Sequence, residues 1–170
     1  MKRFHCAAIA IALACSASAA IAADNPDAKF FKKAAEGGIA EVELGKLAQE
    51  KSSNASVKEF GAMMVTDHSA ANDKLKAIAD KKSIKLPTSP SAGQMATKTK
   101  LEVLSGSTFD KSYIKGMVED HEEDIKEFQA EAASGQDPEA KAYATATLPT
   151  LQKHLKNIQA IAAAQGVDVK

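Results

Sequence analysis

A chain of 170 residues with 22 basic and 22 acidic side chains carries no net charge, and its 45% hydrophobic content suits one domain with a sizeable core. Arginine occurs only at Arg3, so the guanidinium forks that grip phosphates and guanine edges are missing, and no nucleic-acid partner is expected. Both cysteines, Cys6 and Cys15, lie before residue 22, which leaves the rest without a disulfide, a CxxC motif or a thiol nucleophile.

Residues 1–22 read as a secretory signal peptide. Met1 to His5 is short and basic, Cys6 to Ala20 is apolar and alanine-rich, and Ala20-Ile21-Ala22 offers small residues at the cleavage positions. Cleavage after Ala22 leaves 148 of the 170 residues, and losing Lys2 and Arg3 leaves 20 lysines against 22 acids, a charge of −2. The expected compartment is the periplasm of a Gram-negative bacterium. An alternative makes Cys15 a lipid anchor, because Ile-Ala-Leu-Ala precedes it, although the leucine is one place off the usual position. No later apolar run is long enough to span a bilayer, so an integral membrane protein is not expected. Residues 23–170 are read as one domain.

Asn25-Pro26 supplies a cap and a first-turn proline for a helix from about Asp27 to Glu50. Its apolar arc holds Phe30, Ala34, Gly38, Gly45 and Ala48, with Glu41 near the middle. Gly37-Gly38 weakens helix propensity by about 1 kcal/mol per glycine, which suggests a close backbone approach or room for something between helices. Asn54 caps a second helix, Ala55 to about Lys82, whose stripe of Val57, Phe60, Gly61, Met64, Ala71, Leu75, Ile78 and Ala79 centres on His68.

Ser83 to Ser107 is far longer than a helical hairpin needs and can run the length of a bundle, with a modest helix over Ala92 to Leu104. A third helix starts near Thr108, with Ser107 and Asp110 resembling a capping box, and stops at Gly135. Its stripe of Tyr113, Ile114, Met117, Ile125, Phe128 and Ala132 centres on His121, with Asp124 at one edge. Asp137-Pro138 opens a fourth helix that ends by Gly166 and carries His154 on its apolar face, where Pro149 is expected to kink it.

The second and third helices share a template. FGAMMVTDHSAANDKL (Phe60 to Leu75) recurs as YIKGMVEDHEEDIKEF (Tyr113 to Phe128), aligning Met64 with Met117, Asp67 with Asp120 and His68 with His121. Two helices built to one pattern imply a duplicated helical hairpin, hence an all-α four-helix bundle with a long crossover between helices 2 and 3. Beyond the leader the chain has three histidines, each on the apolar stripe of a different helix, and the remaining helix contributes Glu41.

All four groups lie near mid-helix, so they should share a layer. One carboxylate and three imidazoles suit a single zinc, copper or iron ion rather than calcium or magnesium. Glu41, His68, His121 and His154 are therefore the expected metal ligands. Asp67, Asp120 and Asp124 are candidate acceptors for the other ring nitrogens, and Met64 and Met117 offer thioethers that favour copper(I). The plainer reading is a metal-free buried polar network in which Tyr113 or Tyr143 helps to satisfy the histidines and the methionines merely fill the core. No GxSxG, HExxH or glycine-rich phosphate loop is present, and a non-enzymatic protein is expected.

The string EGGIAEVELGKLAQEKSSNASVKEFGAMMVTDH, the second Met-Val-x-Asp-His and TLPTLQKHL resemble an exported bacterial family classed as domain of unknown function 4142. The likeness spans about Phe30 to Ala164 and implies a ferritin-like bundle; it implies no activity. Ferritin-like di-iron proteins carry Glu-x-x-His, whereas Val65, Val118 and Leu151 stand three residues before these histidines, so di-iron chemistry is not expected. The expected function is an exported, monomeric or weakly dimeric protein binding one transition metal. The alternative is a stress-related structural or interaction protein.

Overall fold

The computed structural model describes residues 27–169, and among them are five helices and no strand. They are α1 Ala28–Lys51, α2 Ala55–Lys81, α3 Ala92–Glu102, α4 Gly106–Ser134 and α5 Pro138–Ala164. The expected signal peptide, Cys15 and the Asn25-Pro26 cap lie outside the described residues. No described helix is long and apolar enough to cross a membrane.

The termini follow local chemistry with two departures. Asn54 Oδ1 accepts from the backbone amides of Ser56 and Val57 at 2.9 and 3.3 Å, as an N-cap should. A reciprocal capping box between Ser91 and Gln94 opens α3. Asp137 caps α5, with Pro138 at its first position, and this helix continues unbroken through Pro149.

The first departure is at α4, which begins at Gly106 rather than Thr108, with φ of +54° at that glycine turning the chain into the helix early. The expected Ser107–Asp110 box does not form. Asp110 is buried and accepts instead from the hydroxyls of Ser52 and Ser53, at 2.5 and 2.9 Å, in the α1–α2 turn. The second is at α1, where Asp27 makes no side-chain cap. Its Oδ2 accepts from the amides of Gln136 and Asp137, at 3.0 and 2.6 Å, and so ties the start of α1 to the α4–α5 turn.

Short turns make α1/α2 and α4/α5 antiparallel pairs, while the long connection through α3 returns the chain to the opposite end. α1 then packs on α4, α2 on α5, and α2 runs parallel to α4 across the bundle. This is the four-helix, ferritin-like arrangement with a crossover between the second and third bundle helices. α3 lies over the seam of α1 and α4.

The apolar core is divided in two. One cluster, around Val57, Phe60, Met64, Phe109, Tyr113, Ile114 and Met117, fills one end. Another, around Phe31, Leu75, Phe128, Tyr143 and Leu151, fills the other. Glu41, His68, His121 and His154 belong to neither and are all buried.

The close helix approach falls at Gly45 and Gly61, not at Gly37-Gly38. A Cβ on either Gly45 or Gly61 would sit 2.6 Å from the other's carbonyl oxygen. At Gly38 the missing side chain makes room for Asn72, whose Oδ1 occupies the space a Cβ would need.

Candidate metal centre

His68, His121 and His154 come from α2, α4 and α5, each through a helical period that turns it inward. One ring nitrogen of each lies within 4.8 Å of one from each of the others. Ring centroids are 5.9 Å apart for His68–His121, 5.3 Å for His68–His154 and 5.4 Å for His121–His154. Phe60 meets the rings of His121 and His154 edge-on at 6.1 and 6.4 Å, closing one side with hydrocarbon.

Two of the rings are anchored from behind. His121 Nδ1 is 2.8 Å from the carbonyl oxygen of Met117, so Nδ1 carries the proton and donates. His154 Nε2 is 2.8 Å from Asp67 Oδ2. His121 Nε2, His154 Nδ1 and His68 Nε2 are buried without a hydrogen-bond partner among the described residues. Buried ring nitrogens are ordinarily paired, so three such orphans in one place is an unusual arrangement.

Burial keeps the rings neutral. It drives His68 down to about 3, with the neighbouring His121 and His154 adding to the effect. His121 falls to about 4, again through burial, against the opposing bond to Met117. Burial also lowers His154, although Asp67 pulls the other way. At neutral pH all three are uncharged imidazoles, the state that binds a metal.

Glu41 shares the layer but stands outside this triangle. Its Oε1 is 3.9 Å from His121 Nδ1, the nitrogen already donating to Met117, and its Oε2 has no hydrogen-bond partner among the described residues. Burial, then the negative charges of Asp120 and Asp124, hold the carboxyl well above the usual range. The four-ligand set expected from the helical wheels therefore becomes three converging histidines with a carboxyl group beside one of them, because the Glu41 side chain approaches His121 from its Nδ1 side.

Of the aspartates, Asp67 reaches a ring nitrogen, and it does so on α5 rather than on its own helix. Asp120 and Asp124 turn into an open cleft between α1, α4 and α3, where Glu41 also lies. Burial followed by neighbouring acidic groups raises Asp120 to about 6 and Asp124 to about 7. Asp124, Asn72, Tyr143 and His68 also border a cavity of about 10 Å³. Met64 and Met117 are fully buried one turn before His68 and His121, within the apolar cluster.

Tyr113 is buried with its hydroxyl unpartnered among the described residues, and thus does not complete a histidine bond. Tyr143 packs its ring against Phe30 and Phe128. The sequence reading missed Asn72, although its place four residues after His68 puts it on the same helical face. The Met117 carbonyl had no such signal.

A family model described as Domain of unknown function (DUF4142) matches residues 12–161. The chain belongs to the DUF4142 family. No curated protein matches this DUF4142 chain. Among solved structures, a Streptomyces coelicolor protein described as secreted and designated DUF305 superposes with a TM-score of 0.72 at 14% identity, covering 85% of this chain and 96% of that one. At such identity the likeness establishes the fold alone, and it agrees with the helical bundle of the DUF4142 chain.

Proposed function

We propose that this protein is an exported, non-enzymatic binder of one transition-metal ion, held at mid-bundle by His68 Nε2, His121 Nε2 and His154 Nδ1. The observation that carries this reading is the set of three orphaned, neutral ring nitrogens in the buried layer between two apolar clusters. Metal–nitrogen bonds of about 2.0–2.1 Å place tetrahedral donors about 3.4 Å apart. Small side-chain rotations drawing the longest edge in by up to about 1.4 Å would complete the site.

Three imidazoles with one open position fit zinc or copper, with iron a poorer match to an all-nitrogen set. Asp67 behind His154 and the Met117 carbonyl behind His121 supply the outer bonds that orient metal-binding histidines. Asp67, and Glu41 once a bound cation draws off its proton, would balance the charge of a divalent ion. Export fits the leader sequence and the description of the DUF305 structural neighbour as secreted, and the periplasm is the compartment we propose. A monomer or weak dimer is the expected state.

A second reading is a stress-related structural or interaction protein in which the same layer only sets helix register. It is favoured by the bonds that already hold His121 and His154 without a metal. Elemental analysis of untagged protein purified from the periplasm, followed by titration with zinc, copper and iron, separates the two. Near-stoichiometric metal that disappears in His121→Ala supports the first reading. Metal-free protein without tight binding supports the second.

A further inference from the structure

A buried histidine site needs a way in, and the surface offers an asymmetric choice. Between α1 and α4, under the cap Ser91 and Gly93, Gln94 and Thr97 of α3, lies an open cleft of about 450 Å³. Its walls carry Glu36, Glu41, Asp120, Glu123, Asp124 and Glu127. The single lysine on those walls, Lys33, is ion-paired with Glu127. A cleft with one sign of charge and low-dielectric walls concentrates ions of the opposite sign.

Its inner end meets the histidine layer twice. Glu41 is 3% exposed, has Oε2 without a hydrogen-bond partner among the described residues, and brings Oε1 to 3.9 Å from His121 Nδ1. Asp124 borders both the cleft and the cavity of about 10 Å³ against His68. The groove between α2 and α5 is a poorer route. Its walls are mainly alanine and threonine, with Lys74 and with Asp67 already committed to His154.

We propose that the acidic cleft is the entry route for a divalent cation, in which rim carboxylates collect the hydrated ion, Glu41 holds it at the inner end and Asp124 passes it to His68. Oxygen donors suit the hydrated ion at the mouth, and nitrogen donors suit the dehydrated transition metal inside. The route rests on the histidine-site reading, and the test separates the two.

Binding of Co²⁺ to the folded protein is followed by stopped-flow absorbance at low ionic strength. Glu123→Gln/Glu127→Gln removes rim charge without touching a histidine, and Gly37→Met places a plug in the cleft, where a Cβ has 3.8 Å of clearance. Ala146→Met, in the α2–α5 groove, is the control. The rim variant should bind about tenfold more slowly, with the deficit disappearing at high salt. The plug should slow binding at any salt, with unchanged stoichiometry, and the control should match the parent.

Parental rates in both cleft variants, or slowing in Ala146→Met alone, would overturn the route while leaving the histidine site standing. Absence of Co²⁺ and Zn²⁺ binding in the parent would overturn the histidine site and the route together.

Discussion

His154 Nε2 lies 2.8 Å from Asp67 Oδ2, a bond between α5 and α2 made by the residue immediately before His68. Asp67 thereby links two of the three histidine-bearing helices. The bond fixes the proton of His154 on Nε2, turns its Nδ1 lone pair inward, and makes the ring a better donor. Asp67→Ala is expected to weaken Co²⁺ or Zn²⁺ binding by about 10–100-fold. Asp67→Asn keeps an acceptor oxygen and should lose less. Equilibrium titration of the two variants against the parent measures the difference; equal, unchanged affinities would remove Asp67 from the site.

Glu41→Gln distinguishes a charge role from a packing role. Burial raises the carboxyl pKa in the folded state, so its stabilising contribution is complete below the unfolded value near 4.5 and is lost as pH rises through the folded value. The metal-free variant should therefore be more stable than the parent at pH 8, and this advantage should shrink toward pH 4. Metal affinity should fall by about tenfold or more, since a carboxyl 3.9 Å from His121 Nδ1 can give up its proton beside a bound cation and an amide cannot. Urea denaturation in chelator and metal titration read the two effects separately. A stability change with unaltered metal binding favours the register-setting reading.

Acid should release the metal late. An exposed histidine with a pKa near 6.5 loses roughly tenfold in metal affinity per pH unit below that value. Here His68 and His121 are held to about 3 and 4, so protons compete little above those values. Since burial lowers His154 as well, binding measured with Co²⁺ should change little between pH 8 and the ordinary histidine value of 6.5, with the loss setting in below it. A steep loss already beginning above 6.5 would mean that the rings are far less shielded than their burial indicates.

The metal-free protein should show opposed pH effects. Depressed histidine values mean the unfolded chain binds more protons between about 3 and 6.5, so these groups make stability rise with pH over that window. Asp124, raised from 3.8 to about 7, does the reverse and makes stability fall as pH rises across its own window. Asp124→Asn should gain on the parent from pH 4 to pH 7 and hold a constant margin above it, as measured by chemical denaturation in chelator.

Glycines 37 and 45 should respond in opposite directions to alanine. A Cβ at Gly45 would lie 2.6 Å from the Gly61 carbonyl oxygen and 3.0 Å from Met64 Cβ, forcing α1 and α2 apart at a cost of about 1–3 kcal/mol. At Gly37 the nearest atoms stand 3.8–3.9 Å away, and alanine should stabilise by about 1 kcal/mol through helix propensity. Denaturation midpoints of the two variants should move to opposite sides of the parent.

The sequence by itself determined the helices, the crossover and the convergence on mid-bundle. Apolar residues recurring with the helical period give each side chain an azimuth, and the Met-Val-x-Asp-His repeat places His68 and His121 at matching heights. His154 and Glu41 follow from the same arithmetic. Azimuth and height suffice to predict burial in one layer. They do not determine which atoms meet, because that depends on the axial offset between neighbouring helices, their spacing and the side-chain rotamers.

Tertiary structure alone therefore decided that Asp67 serves His154 across a helix interface, and that Glu41 approaches His121 from its Nδ1 side. It also decided that Asp110 joins the α1–α2 turn instead of capping α4. The glycine contact between α1 and α2 sets how closely those helices approach. α3, whose own periodicity is weak and whose Leu101 alone is buried, completes the acidic cleft only by where the crossover lays it. Each of these depends on placements to within an ångström or two, finer than a helical wheel resolves.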